Sequence, residues 1–192
     1  MEASPDRGLL MGNRGILHDA FGRLGAARWR HPHWIACALS FKDRHRPIMA
    51  PGAYTELFFC DEAVALAAGH RPCAECRRAD FRRFAHAFGR GAPIPAPAID
   101  AELHGSRVRR DRTQQHHDAP PEGLPDGAFV MLPEAPDVAW LVWSGALHRW
   151  SHAGYRERQA RPSGGVVTVL TPPPTVRALS AGYVPRVHPT AG

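Results

Sequence analysis

The chain has 192 residues and a formal charge of +6; hydrophobic residues make up 44% of it and charged residues 22%. These proportions are ordinary for a soluble globular protein. The longest apolar runs are far shorter than the roughly 18 residues that a membrane helix needs, and the polar start lacks the apolar core of a secretory signal peptide. These observations exclude a membrane protein and lead us to expect a cytoplasmic one, with one domain or two small ones.

The cysteines are confined to one part of the chain. Cys37, Cys60, Cys73 and Cys76 all lie in the first half. A disulfide framework would spread its bridges over the whole fold. A cluster that includes one C-x-x-C motif is more typical of a metal or redox site.

The positive charge is also concentrated in the first half. Residues 1–96 carry a net charge of +5, whereas residues 97–192 carry +1. An arginine-rich face favours a polyanionic partner such as nucleic acid. A genome rich in G and C explains an excess of arginine codons equally well, so the charge leaves both explanations open.

The first half is predicted to form two buried strands and two short helices. The strands cover 34–41 and 54–60 and the helices cover 62–68 and about 73–88. They follow an irregular segment at 1–27, in which residues 11–15, including Gly12, are predicted to form a turn. Asp61 is a favourable N-cap for the first helix, and Gly69 ends it. Phe81, Phe84 and Phe88 form one apolar face of the second helix.

A change of composition follows this helix. A proline-rich and polar linker is predicted at 93–127, and four strands then precede a short helix that ends at Gly182. The strands are predicted at 129–132, 139–143, 146–150 and 166–170, with a hairpin turn at Gly145. We therefore expect an α+β fold: a treble-clef-like zinc module at 1–92, followed by a small antiparallel β-rich half at 128–192 with a short C-terminal helix.

The strongest chemical motif is Pro72-Cys73-Ala74-Glu75-Cys76. Two thiolates three residues apart at the start of a helix can bind one Zn²⁺, and the helix N-terminus stabilises their negative charge. Two strands followed by a helix that opens with C-x-x-C is the layout of a treble-clef zinc site. A complete structural site needs four ligands, and the sequence has no second C-x-x-C.

The residues around this motif resemble the metal-binding domain of the bacterial Ada adaptive-response proteins, which repair methylated DNA. The resemblance covers residues 40–76, in a module that extends to about 88. It rests on Phe58-Phe59, Glu62-Ala63 and the run from Ala65 to Arg77, ALAAGHRPCAECR. That family typically shows F-F, an alanine-rich helix and G-[FY]-R-P-C-x-x-C. The resemblance implies a zinc-bearing module that binds DNA.

The sequence departs from the family at the other two ligands. The family has F-C-x-x-x-C about 16 residues before F-F. In this chain Phe41 matches, but Lys42 and Arg46 stand where the cysteines belong. The first of those cysteines is also the methyl acceptor of the family, and Lys42 cannot act as a thiolate nucleophile. We therefore do not expect phosphotriester repair by that residue.

Other residues can complete a zinc site. Cys37 lies on the preceding strand and His45 is one residue from the lost second ligand, so Cys37, His45, Cys73 and Cys76 form a plausible set of three sulfurs and one nitrogen. Cys60 and His70 are reserves. The alternative is that Cys37 and Cys60 are small buried hydrophobes and that His45 is a solvated turn residue.

Arginines near the motif are candidates for phosphate contacts, because a guanidinium group matches phosphate oxygens in geometry and charge. The candidates are Arg44, Arg46, Arg71, Arg77, Arg78, Arg82 and Arg83. The alternative is a solvated helix face on which these arginines pair with Glu75 and Asp80.

The leading hypothesis is a non-enzymatic, zinc-stabilised, DNA-binding protein of the bacterial cytoplasm. The second is a metal-dependent nuclease or other hydrolase in which His18 and Asp19 take part in catalysis. The third is a metal-free interaction module whose cysteines are remnants. Salt-dependent binding to a duplex supports the first hypothesis, and metal-dependent loss of substrate supports the second.

Overall fold

The computed structural model describes residues 4–6, 8–43 and 47–192. Within these ranges the chain is an α+β protein with mostly antiparallel sheets and a short C-terminal helix. The strands are β1 (Leu10–Asn13), β2 (Ile35–Ala38), β3 (Leu57–Phe59), β4 (Arg71–Pro72), β5 (His117–Ala119), β6 (Phe129–Leu132), β7 (Ala135–Trp143), β8 (Ala146–Ser151), β9 (Gly154–Ala160) and β10 (Val167–Val169). The helices are α1 (Glu62–Ala67), α2 (Arg78–Phe88), α3 (Ala96–Arg107) and α4 (Pro173–Ser180).

The first sheet has the strand order β3-β1-β2-β4. β1 pairs antiparallel with β2 and β3, whereas the short strand β4 pairs parallel to β2. A parallel pair needs a crossover connection. Here the chain between β2 and β4 contains β3 and α1. The predicted N-cap of α1 is confirmed, because the Asp61 side chain accepts a hydrogen bond from the Val64 N–H at 2.9 Å.

The second sheet is antiparallel throughout, with the strand order β5-β10-β6-β7-β8-β9. The hairpin between β7 and β8 turns at Ser144 and Gly145, which both have positive φ angles, of 48° and 74°. A two-residue turn of this kind matches the right-handed twist of the strands that it joins. The structure thus confirms the turn predicted at Gly145.

The largest hydrophobic cluster joins the two halves of the chain. Two residues of the predicted apolar face of α2 are buried, with Phe84 fully inaccessible and Phe88 6% exposed, and Phe81 is partly buried. These rings pack in one cluster with Val130 and Leu147 of the second sheet and Leu179 of α4. The division of the chain into the segments 1–92, 93–127 and 128–192 stays a prediction.

Several elements differ from their sequence predictions: β4, β5 and β9 were not predicted, and α2 begins at Arg78 rather than near Cys73. β1 lies in a segment expected to be irregular, where Gly12 suggested a turn. Gly12 instead allows close packing, since an added Cβ would lie 2.3 Å from the Phe59 ring. α3 lies in the expected linker; Pro97 falls in its first turn, where proline is tolerated, and Ile99 and Leu103 are fully buried. Within the described ranges, no helix is long and apolar enough to cross a membrane.

Candidate metal centre

The pairing of β2 with β4 places two of the cysteines side by side. In the parallel register Ala36 is opposite Pro72, and the Cys73 N–H donates to the Ala36 carbonyl at 3.0 Å. Cys37 follows Ala36 on β2, and Cys73 follows Pro72 at the end of β4. The strand register therefore brings together two thiols that are separated by more than 30 residues of sequence.

A tight turn returns the third cysteine to the same place. The Arg77 N–H donates to the Cys73 carbonyl at 3.2 Å, which closes a turn over the C-x-x-C motif before α2 begins at Arg78. The Ala38 N–H then donates to the Cys76 sulfur at 3.4 Å. A backbone N–H directed at sulfur stabilises the thiolate form, which is the form that binds metals.

The sulfur atoms of Cys37, Cys73 and Cys76 all lie within 4.8 Å of one another. Cys73 is buried, whereas Cys37 and Cys76 are partly exposed. Three sulfur donors at this spacing can hold a metal ion between them. Among the described residues, these three cysteines form the one group of His, Cys, Asp or Glu side chains with this geometry.

The three thiols perturb one another strongly. Hydrogen bonds from Cys37 and then from Cys76 lower the pKa of Cys73, while the pKa of Cys37 is raised because its thiol donates to Cys73 and to Cys76. A hydrogen bond from Cys37 lowers the pKa of Cys76. The contact of Cys76 with Cys73 and the burial of Cys76 have a larger combined effect, so the pKa of Cys76 is raised overall. A bound metal would displace the protons that these thiols carry.

A cavity of about 590 Å³ adjoins the cluster, and all three cysteines contribute to its wall. Much of the remaining wall is apolar or aromatic, with contributions from Met11 on β1 and Phe58 on β3. Glu56 and Glu75 also line it. Sequence reasoning missed this cavity, because its wall depends on β1, which aligns Met11 with Cys37.

The other proposed ligands lie outside the cluster. Cys60 is buried, and burial followed by the charge of Asp61 raises its pKa to about 12, so it behaves as a small buried hydrophobe. His70 is fully buried directly before β4, against the Phe59 ring. His45 lies outside the described residues, so its assignment as a ligand stays a prediction.

His70 belongs to a buried cationic cluster that the sequence did not reveal. The Arg14 Nε donates to His70 Nε2 at 3.2 Å, and the guanidinium groups of Arg14 and Arg107 lie 3.8 and 4.0 Å from the centre of the Trp34 ring. Burial lowers the pKa of each of these arginines to about 9. Backbone carbonyls, including that of Gly69, accept their hydrogen bonds.

Two of the predicted phosphate-binding arginines are buried. Arg71 forms two hydrogen bonds of 2.8 Å to the carboxylate of Asp100. Arg77 donates to Glu62 at 2.6 Å and to Asp80 at 2.8 Å. Their charges hold elements of the fold together and are not presented to a partner in this structure.

Other predicted arginines remain accessible. Arg78 and Arg82 are exposed and lie one turn apart on α2, directly after the cysteine cluster. Arg83 is also exposed, but its guanidinium donates to Asp80 at 2.6 Å. Arg44 and Arg46 lie outside the described residues.

The histidine and aspartate proposed for a hydrolase have local structural contacts. His18 is buried and its Nδ1 lies 2.6 Å from the Thr55 hydroxyl. The exposed Asp19 accepts hydrogen bonds from the backbone N–H groups of Phe21 and Arg23 and pairs with the Arg23 guanidinium. These contacts stabilise a surface turn, and neither residue belongs to the cysteine cluster.

No protein family, curated protein or solved structure matches the chain in comparisons with known proteins.

Proposed function

We propose that the chain is a zinc-binding protein that binds DNA. The observation that carries the proposal is the meeting of Cys37, Cys73 and Cys76 within 4.8 Å. Three thiolates make a soft donor set, which favours Zn²⁺ over the hard cations Mg²⁺ and Ca²⁺. The order of strand, C-x-x-C and helix around the cluster supports a treble-clef-like module of the kind that the Ada resemblance implies.

The metal has a structural role in this proposal. It links β2 to the turn that precedes α2, and so fixes the start of that helix relative to the first sheet. Cys37, Cys73 and Cys76 are the three protein ligands, and His45 stays a prediction for the fourth position. No described contact assigns an activity to His18 or Asp19, so the hydrolase hypothesis receives no support from the geometry.

DNA binding is proposed to involve the exposed face at the start of α2. Arg78 and Arg82 are accessible, and the partial positive charge of the helix N-terminus adds to theirs. The neighbouring Asp80 does not cancel their charge, because it pairs with Arg77 and Arg83. The net charge of +6 favours the approach of a polyanion.

The DNA-binding proposal predicts that Arg78→Gln/Arg82→Gln weakens binding to a fluorescent 20-base-pair duplex, measured by anisotropy over a series of salt concentrations. Each phosphate contact contributes about 0.9 to the slope of log K against log salt concentration. The double variant should therefore reduce that slope by about 2. The matched control is Arg156→Gln/Arg158→Gln, which removes the same charge from exposed positions on β9.

The control variant should change the salt slope much less than the α2 variant. Equal effects of the two double variants would mean that binding follows net charge alone and would reject α2 as the contact surface. Absence of binding by the wild type at about 50 mM salt, where phosphate contacts are strong, would reject DNA as the partner.

A further inference from the structure

Residues 14–30 form an arm that carries an exposed aromatic ring at its tip, residues 19–23. The two sides of the arm are joined where the Arg30 N–H donates to the Arg14 carbonyl at 2.8 Å. At the tip, Phe21 is 82% exposed, whereas the other large hydrophobic residues on the described surface are 41–59% exposed. Single exposed hydrophobic residues are common on proteins, so the way in which the arm presents this ring decides its meaning.

The turn at the tip is held in one conformation by Asp19. Its Oδ1 accepts hydrogen bonds from the Phe21 N–H at 2.9 Å and from the Arg23 N–H at 3.0 Å, and its Oδ2 pairs with the Arg23 guanidinium at 3.0 Å. Gly22 has a φ angle of 76°, in the region that favours glycine. Because the turn is already ordered, little conformational entropy is lost when a ligand contacts the ring.

The base of the arm is fixed to the body of the fold. The Leu17 N–H donates to the Thr55 hydroxyl at 2.8 Å, and the Thr55 N–H donates to the Gly15 carbonyl at 3.0 Å. Thr55 is 1% exposed, so these contacts lie in the interior. A substitution at the exposed tip therefore leaves the support of the arm intact.

The Phe21 ring has one covered face and one open face. The Arg23 guanidinium lies over the ring, with its central carbon 5.1 Å from the ring centre, and makes a cation–π contact. The high exposure of Phe21 leaves the opposite face to solvent. A second flat π system can stack on that face.

The charge of the arm favours an anionic ligand. Residues 14–30 contain four arginines and one carboxyl residue, which gives a formal charge of +3. Three of the arginines, Arg23, Arg28 and Arg30, are exposed. The carboxyl residue, Asp19, is paired with Arg23. Flat rings and negative charge occur together in a nucleic-acid strand, which proteins bind through aromatic side chains and basic grooves.

We propose that the arm binds single-stranded DNA by stacking an unpaired base on the open face of Phe21. The bases of a duplex stack on one another, whereas an unpaired base offers a free π face to an aromatic side chain. Every base has such a face, so the contact does not depend on the base sequence. This inference rests on the DNA binding proposed above and adds a second contact surface to that of α2.

The neighbours of Phe21 favour a base over a lipid bilayer as its partner. Ala20 and Gly22 are small, so the ring is the one large apolar group within residues 19–23. One ring matches the area of one base. Insertion into a membrane interface uses a continuous apolar face with several large side chains.

The test measures, by anisotropy, how the full-length protein binds a fluorescent 20-base single strand and the matching duplex. Phe21→Leu keeps an apolar side chain but removes the π face, and Phe21→Tyr keeps the ring. Phe21→Leu should weaken binding of the single strand about tenfold and leave binding of the duplex unchanged. Phe21→Tyr should bind both as the wild type does. The matched control is Leu24→Ala, a change at a 50% exposed position of the same arm that should have no effect.

A photochemical cross-link locates the contact. A single strand that carries 5-iododeoxyuridine forms cross-links on irradiation with aromatic side chains that stack on the modified base. Trypsin cleaves after Arg14 and Arg23, and the peptide 15–23 between them contains Phe21 and no Trp, Tyr or other Phe. Mass spectrometry should find the cross-link in this peptide of the wild type and should not find it in Phe21→Leu.

Four results would overturn the inference. Equal binding of the single strand by the wild type and Phe21→Leu would reject the ring as a contact and leave DNA binding by α2 in place. Equal weakening of single-strand and duplex binding by Phe21→Leu would show that the partner of the ring is not an unpaired base. Dimers in sedimentation that Phe21→Leu abolishes would assign the ring to a second copy of the chain. Absence of binding to both DNA forms would reject the proposed DNA-binding function as well.

Discussion

His70 shows how the fold controls a single titratable side chain. Its imidazole is fully buried, with the ring 4.6 Å from Phe59 and 5.6 Å from Trp34 between ring centres. Burial, followed by the positive charges of Arg14 and Arg107, lowers the pKa of His70 well below its usual value of 6.5. The neutral ring can then accept the hydrogen bond from Arg14.

This shift predicts a loss of stability in mild acid. The unfolded chain takes up a proton on His70 near pH 6.5 but the folded chain does not, so the free energy of unfolding falls as the pH decreases below that value. One such group contributes a slope of up to about 1.4 kcal/mol per pH unit. His70→Gln removes the titration and retains an acceptor for Arg14, so its unfolding free energy should depend less on pH in urea titrations from pH 7.5 to 5.5.

The exposed His86 provides the control for this measurement. His86→Gln should keep the wild-type slope. Proton-driven loss of a metal affects all three proteins equally, because they have the same cysteines, so it cancels in the comparison. Part of the slope will remain, since burial also lowers the pKa of His31 and of His104. Identical slopes in His70→Gln and the wild type would contradict the argument.

At the scale of elements, the start of α1 connects the first sheet region to the C-terminal segment. The Glu62 carboxylate accepts hydrogen bonds from Arg77 at 2.6 Å, from the Tyr183 hydroxyl at 2.5 Å and from the Arg186 N–H at 2.9 Å. The neighbouring Asp61 accepts from the Tyr155 hydroxyl at 2.7 Å. These contacts fix Arg77, which directly follows Cys76 of the cysteine cluster.

We expect Glu62→Gln to destabilise the protein by about 3 kcal/mol, because it removes the charge of a buried partner of Arg77. The control is Glu157→Gln. Glu157 pairs with Arg149 at 2.6 Å, but both side chains are about half exposed, so its loss should cost less than about 1 kcal/mol. Chemical denaturation measures the free energy of unfolding of both variants. Equal destabilisation by the two substitutions would contradict the structural importance of the buried network.

The elements that could be predicted from the sequence are those set by local patterns. The N-cap at Asp61, the end of α1 near Gly69 and the hairpin at Gly145 all follow from neighbouring residues and are confirmed. β1 was missed because Gly12 reads locally as a turn, while its packing against Phe59 is a distant contact.

The candidate site likewise combines features set by local sequence patterns with features set by distant contacts. The C-x-x-C spacing predicted Cys73 and Cys76, and the preceding strand suggested Cys37; the structure brings all three together. The burial of Arg71 and Arg77 was not predictable, because their carboxylate partners Asp100 and Glu62 lie 29 and 15 residues away in the sequence. The cavity likewise depends on strand pairing that no local pattern encodes.

At the scale of the whole molecule, the proposed metal site draws its three cysteines from distant parts of the chain. β2 supplies Cys37, and the turn after β4 supplies Cys73 and Cys76. The large core that joins α2 to the second sheet holds this turn in place from the other side. A metal bound here would therefore report that β2, β4 and the start of α2 have come together.

The most direct test is the metal content of the purified full-length protein, measured by plasma mass spectrometry for the wild type, Cys37→Ser and Cys60→Ser. We predict about one zinc ion per chain in the wild type and in Cys60→Ser, whose sulfur lies outside the cluster. Cys37→Ser should lose most of the metal. A folded wild type without metal, or equal retention of metal by the two variants, would contradict the assignment of Cys37, Cys73 and Cys76 as the metal site.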